Sequence, residues 1–184
     1  MTLNRRDFLK QGGLSLSFAL AGSSVLLTPA QARAKAVPYV VLNADEVALL
    51  EAICEILLPG AKEEGVAHFV DQQLSVDPND SLLVLKYFGY PPPYVDFYRP
   101  ALSECQKLSQ RMFKKDVAQL DSSESHQFIE AIREGKTEGW NGPPPPLVYQ
   151  AMRNDAVDVV YGTVKGFEKL GIPYMEHILP PEGF

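Results

Sequence analysis

Apolar residues recur at intervals of three and four along much of this 184-residue chain. That spacing places them on one face of a helix. Val47, Leu50, Cys54 and Leu57 form such a face. The preceding Asn43-Ala44-Asp45-Glu46 predicts the helix start: Asn43 caps a free backbone N–H, and Glu46 sits where a capping-box acid reaches back. Pro59-Gly60 predicts the stop. Val66 to Leu74 reads as a short second helix, and a long one is expected from about Pro100 to Lys115, with Leu102, Leu108, Met112 and Phe113 apolar. Asp121-Ser122-Ser123-Glu124 is a second capping signal, before Phe128, Ile129 and Ile132, and Gly135 is placed to end that helix. After prolines 143–146, Leu147, Ala151, Ala156, Val159 and Val160 predict another helix. From Gly162 onward Gly-Ile-Pro and Pro-Pro predict a mostly irregular tail. No convincing period-two alternation and no internal repeat stands out. The expected fold is all-α: a small irregular helical domain with proline-rich connections and a largely irregular C-terminal tail.

The first 34 residues follow a different pattern. NRRDFLKQGG, residues 4–13, leads into the apolar, serine- and glycine-rich LSLSFALAGSSVLL at 14–27, and PAQARA follows at 29–34. A basic start, an apolar middle and small residues at a cleavage site are the parts of a secretory leader. The middle is too short to span a bilayer, which takes about 20 apolar residues. Arg5 and Arg6, followed by x-Phe8-Leu9-Lys10, match the twin-arginine type of export signal. Cleavage is expected after Ala32 or Ala34, leaving residues 35–184 as one helical domain. That route carries cargo already folded, commonly because a cofactor is inserted in the cytoplasm. The chain should therefore bind a cofactor, or travel with something that does.

Charge narrows the partners. Of 17 basic and 23 acidic residues, four basic and one acidic lie before residue 35, which leaves 13 against 22 and a net charge of −9. Nucleic acid, which asks for a basic surface, is disfavoured. The two cysteines, Cys54 and Cys105, could pair with each other in an oxidising compartment, remain buried thiols, or bond another chain.

Motifs for chemistry are absent. There is no G-x-G-x-x-G, no phosphate-binding G-x-x-x-x-G-K-[ST] and no C-x-x-C-H. His68, His126 and His177 are 58 and 51 positions apart, far from the close spacing of zinc ligands. Packing, solvent or partner contact is the better reading of each. Ser122, Ser123 and Ser125 beside His126 read as helix-capping chemistry, because no nucleophile elbow surrounds them. Asp155 and Asp158, near Arg153, read as a solvated helix face. What does stand out is aromatic: YFGYPPPYVDFYRP at 87–100, and Trp140 in TEGWNGPPPP. Aromatics are enriched at the energetic centres of interfaces. Tyr90, Tyr94, Phe97, Trp140, Tyr161, Tyr174 and His177 are the candidate partner-facing residues, with packing of loops onto helices as the alternative for each.

LLEAICEILLPGAKEEGVAHFVDQQL at 49–74 and MRNDAVDVVYGTVKGFEKLGIPYMEHILPPEGF at 152–184 resemble the small subunit, often called subunit 3 or gamma, of gluconate 2-dehydrogenase-type flavin dehydrogenases. The resemblance implies a complex of three kinds of subunit. A large subunit carries FAD and oxidises a sugar or sugar acid. A multihaem c-type cytochrome passes the electrons on and holds the complex at the membrane. The small subunit has no cofactor or catalytic residue of its own; it binds the flavoprotein, helps it mature, and supplies the twin-arginine signal read by the translocase for both. The expected location is the periplasm. The rivals are a stand-alone periplasmic helical binding protein and an enzyme with a hidden His/acid site.

Overall fold

The computed structural model describes residues 14–20 and 22–172. These residues form a mainly helical body with one β-hairpin. The hairpin is the first departure from the sequence expectation. Strand β1 (Leu16–Leu20) pairs antiparallel with β2 (Ser23–Leu27), with Leu16 opposite Leu27 and Leu20 opposite Ser23. The connection is two residues long, and its second, Gly22, has φ +76°, the left-handed conformation such short loops require. Leu16 and Phe18 point inward while Ser17 and Ala19 are exposed. This is a period of two inside a run that reads as uniformly apolar.

Helix α1 (Pro29–Ala34) follows at once. Thr28 and Gln31 form a capping box, and Pro29 occupies the first turn, where its missing N–H costs nothing. Residues 35–43 then run without regular structure into α2 (Ala44–Leu57). That helix begins as expected, with Asn43 and Glu46 exchanging side-chain and backbone hydrogen bonds at 2.9 Å each. Helix α2 is the axis of the body, touching α3 (Val66–Ser75), α5 (Val95–Phe113), α7 (Pro145–Tyr161) and a 3-10 turn at Val117–Gln119. Leu50, Ile53 and Cys54 lie in that interior. Burying side chains the size of Leu50 and Ile53 contributes roughly 2 kcal/mol each.

Helix α3 is fastened to the lead-in segment by one carboxylate. Asp71, itself buried, accepts backbone N–H bonds from Val40, Val41 and Leu42, each at 2.8 Å. One turn earlier, His68 bonds the same segment: Nε2 reaches the Val37 carbonyl and Nδ1 the Tyr39 hydroxyl, both at 3.1 Å.

Helix α4 (Val84–Tyr87) is a single turn packed on α7. Helix α5 begins five residues before Pro100, where the sequence places its start. The proline leaves the Asp96 carbonyl without an intrahelical donor, but that residue is exposed to water. Phe97 and Tyr98, fully buried, hold the extra turn in place. Helix α6 (Ser122–Glu134) starts with the Asp121–Glu124 capping box and ends on Gly135 at φ +69°, both as expected. In the tail, Thr163 caps a short helix α8 (Val164–Lys169), accepting from the Gly166 N–H at 3.0 Å. A Cβ on Gly166 would fall 2.4 Å from the Val160 carbonyl oxygen, so glycine is what lets α8 lie on α7. Among the described residues, no helix is long and apolar enough to cross a membrane.

Replacing Asp71 with Ala should lower the unfolding free energy by roughly 3 kcal/mol, because it strips three amide donors of a charged acceptor. Asp71→Asn should cost less, since one acceptor oxygen remains. Chemical denaturation of the two variants checks the order.

Candidate functional site

The aromatic residues singled out for partner contact fall into three groups. Phe97 is fully buried and Tyr94 nearly so, which makes both of them interior side chains of this chain and corrects their assignment to a partner surface. Tyr90 is half-buried and meets Phe97 edge-on, with ring centroids 5.0 Å apart at 78°. Trp140 is half-buried too; its indole N–H donates to the Pro143 carbonyl at 2.8 Å, closing its own proline-rich loop. That loop is tied to α5 through the buried Glu104, which accepts the Asn141 N–H at 3.1 Å. Tyr161 is partly exposed at the end of α7. Tyr174 and His177 lie outside the described residues, as do Arg5, Arg6, Phe8, Leu9 and Lys10.

Exposed apolar surface lies just before Tyr90 in the chain. Tyr87 is 70% exposed, Phe88 50% and Leu82 43%, all on or next to the single turn of α4. The turn is short because Gly89, at φ +69°, ends it before three exposed prolines. Buried Leu83 and Leu85 root the turn in the core while Tyr87 and Phe88 face outward. Leu170 and Ile172, beyond α8, are also about half exposed. Helices α4 and α8 both pack on α7, so one helix supports both apolar margins.

The most unusual polar group is interior. Asp155 lies on the apolar stripe of α7, one turn from Ala151 and Val159, and is 1% exposed, not on the solvated face the sequence suggested. One of its oxygens accepts the Tyr98 hydroxyl at 2.7 Å, and the other has no hydrogen-bond partner among the described residues. Burial, reinforced by the nearby Asp158, pushes its pKa from 3.8 up to about 8, although the Tyr98 bond pulls the other way. Burial and the adjoining Asp155 likewise raise Tyr98. Cys54 and Cys105 are free thiols, both fully buried. Burial raises both thiol pKa values, so neither is an activated nucleophile.

The two described histidines, His68 and His126, line different clefts. His68 sits in the α3 interior with both ring nitrogens engaged, and burial lowers its pKa. Burial raises Tyr39 to about 12, so the hydroxyl donates to a neutral ring. His126 is exposed on α6, at the rim of an open cleft with Ser122, Ser125, Tyr149 and Arg153. Ser122 is the first residue of α6, beside its Asp121 cap, and Ser125 sits in the same first turn. Among the described residues, no group of three or more His, Cys, Asp or Glu side chains is arranged to hold a metal ion.

Asp155 makes stability pH-dependent in a defined direction. Between about pH 4 and 8 the folded chain keeps a proton on Asp155 that the unfolded chain releases, so raising the pH costs stability, at up to about 1.4 kcal/mol per pH unit. The low pKa of His68 acts in the opposite direction, but only below about pH 6.5. Unfolding free energies measured from pH 6.5 to 8 should therefore fall for the wild type and stay flatter for Asp155→Asn.

No curated protein and no solved structure matches the chain. A family model does, over residues 44–178, from the first capping residues of α2 through α7 and α8. On that match the chain belongs to the gluconate 2-dehydrogenase subunit 3 family.

Proposed function

We propose that this chain is the non-catalytic small subunit of a periplasmic FAD-dependent sugar or sugar-acid dehydrogenase complex. In this reading it binds the flavoprotein subunit and acts as that subunit's maturation and export escort. The observation that carries the reading is the family match across residues 44–178, in a family described as a dehydrogenase subunit. FAD and c-type haem belong to the partner subunits, the latter to a multihaem cytochrome that holds the complex at the membrane.

The proposed contact is the apolar margin at Leu82, Tyr87 and Phe88 with the adjoining Tyr90; Trp140 and Tyr161 are further partly exposed aromatics offered to the partner. Exposed aromatics rooted by a rigid turn suit a protein interface, because their burial loses little side-chain entropy. Binding would stabilise the folded flavoprotein by mass action, which is the physical content of maturation. The acidic net charge, −6 over the full sequence, is compatible with a protein partner and unfavourable for nucleic acid. Export follows from Arg5-Arg6-x-Phe8-Leu9-Lys10, a receptor-read address that serves a partner carried along with this chain.

Two experiments test the reading. Arg5→Lys with Arg6→Lys should leave both this chain and the flavoprotein in the cytoplasm; active flavoprotein in the periplasm without this chain refutes the escort role. Tyr87→Asp with Phe88→Asp should weaken co-purification of the flavoprotein at least 100-fold while leaving the thermal midpoint of the isolated chain nearly unchanged. An unchanged complex removes this margin from the interface.

A further inference from the structure

Residues 14–34 carry the expected leader and cut site, yet they are packed into the body. We propose that this segment is a permanent part of the finished protein, docked on α3 and not removed after Ala32 or Ala34.

The packing is specific. Leu16, Phe18, Leu27 and Ala32 belong to the same continuous core as Leu50 and Phe69. Helix α3 is buried on two sides: α2 and α7 cover one, β1 and α1 the other. Seven of its ten residues are buried, more than a single apolar face would supply. Removing residues 14–34 would uncover that second side.

Polar contacts fix the segment as well. The Gln72 side-chain amide donates to the Ser17 carbonyl at 3.3 Å, and the Leu14 N–H donates to the Gly162 carbonyl at 3.2 Å. Arg33 pairs with Glu51, a carboxylate buried inside α2, whose other cation, Lys62, stands 3.4 Å away. A cut after Ala34 would carry Arg33 away and leave that acid with the more distant, more exposed lysine. Gly65 supplies the closest approach of all. At φ +85°, a Cβ there would fall 2.3 Å from the Pro29 carbonyl oxygen, so this glycine accommodates α1.

The cut site itself is protected. Ala32 belongs to both candidate Ala-x-Ala motifs, is fully buried, and lies within a capped helix. A protease cleft takes an extended strand, so cutting would require α1 to unfold and leave the core. A chain folded before export would present the site in this docked form. That timing, and only that, rests on the export reading above.

Hydrogen exchange of the full-length chain, and the intact mass of the exported protein, test this together. The expected result is that amides of 16–20, 23–27 and 30–34 exchange at least 100-fold more slowly than in the unfolded chain, and that the exported protein still contains residues 14–34. Phe18→Asp should abolish protection across the segment while α5 and α6 stay protected. Unprotected amides in the wild type, or an exported chain beginning at Arg33 or Lys35, overturns the proposal. The arginine-pair replacement tests the export reading by location, whereas the exchange measurement is independent of it.

Discussion

The Asp71 carboxylate is the interaction on which the arrangement of this chain depends. A buried carboxylate is costly unless its lone pairs are met, and here three consecutive amides meet them. Those amides belong to residues 40–42, the last before Asn43 caps α2. One side chain of α3 thus holds the segment that leads into the capped start of the central helix. His68 fastens the same segment one turn back, neutral and bonded at both nitrogens. Residues 37–42 are held on α3 through this pair, and α2 follows directly from them.

The same economy of polar groups runs through the interior. Tyr98 donates to one oxygen of Asp155 between α5 and α7, Glu104 holds the tryptophan loop, and Glu55 accepts amides of Gly60 and Lys62 after α2. Polar side chains that could resemble catalytic groups are occupied with shape. What the described surface offers instead is apolar: Tyr87 and Phe88 on a turn anchored by Leu83 and Leu85. Membership of a dehydrogenase subunit family gives that exposed apolar turn a context.

The sites were only partly legible in the sequence. The aromatic run was visible, but which of its rings face out was not. Tyr94, Phe97 and Tyr98 turn inward on the first turns of α5, while Tyr87 and Phe88 precede the prolines and face water. Proline rules place the helix start at Pro100, whereas burial of Phe97 and Tyr98 outweighs one missing backbone bond. A signal for Asp155 was present, an acid in register with Ala151 and Val159 on an otherwise apolar stripe.

Local chemistry alone determined the helix ends at Asn43, Asp121 and Gly135, and the helical character of the body, since a cap needs only residues within four positions. The apolar stripes of α2, α6 and α7 were likewise local, because their period follows from backbone geometry. Only the tertiary structure decided that Leu16–Leu20 and Ser23–Leu27 pair as a hairpin, that Gly65 meets Pro29, and that Asp71 reaches back about thirty residues. Those contacts join positions distant along the chain, and their free energy comes from burying surfaces that neither segment can bury alone.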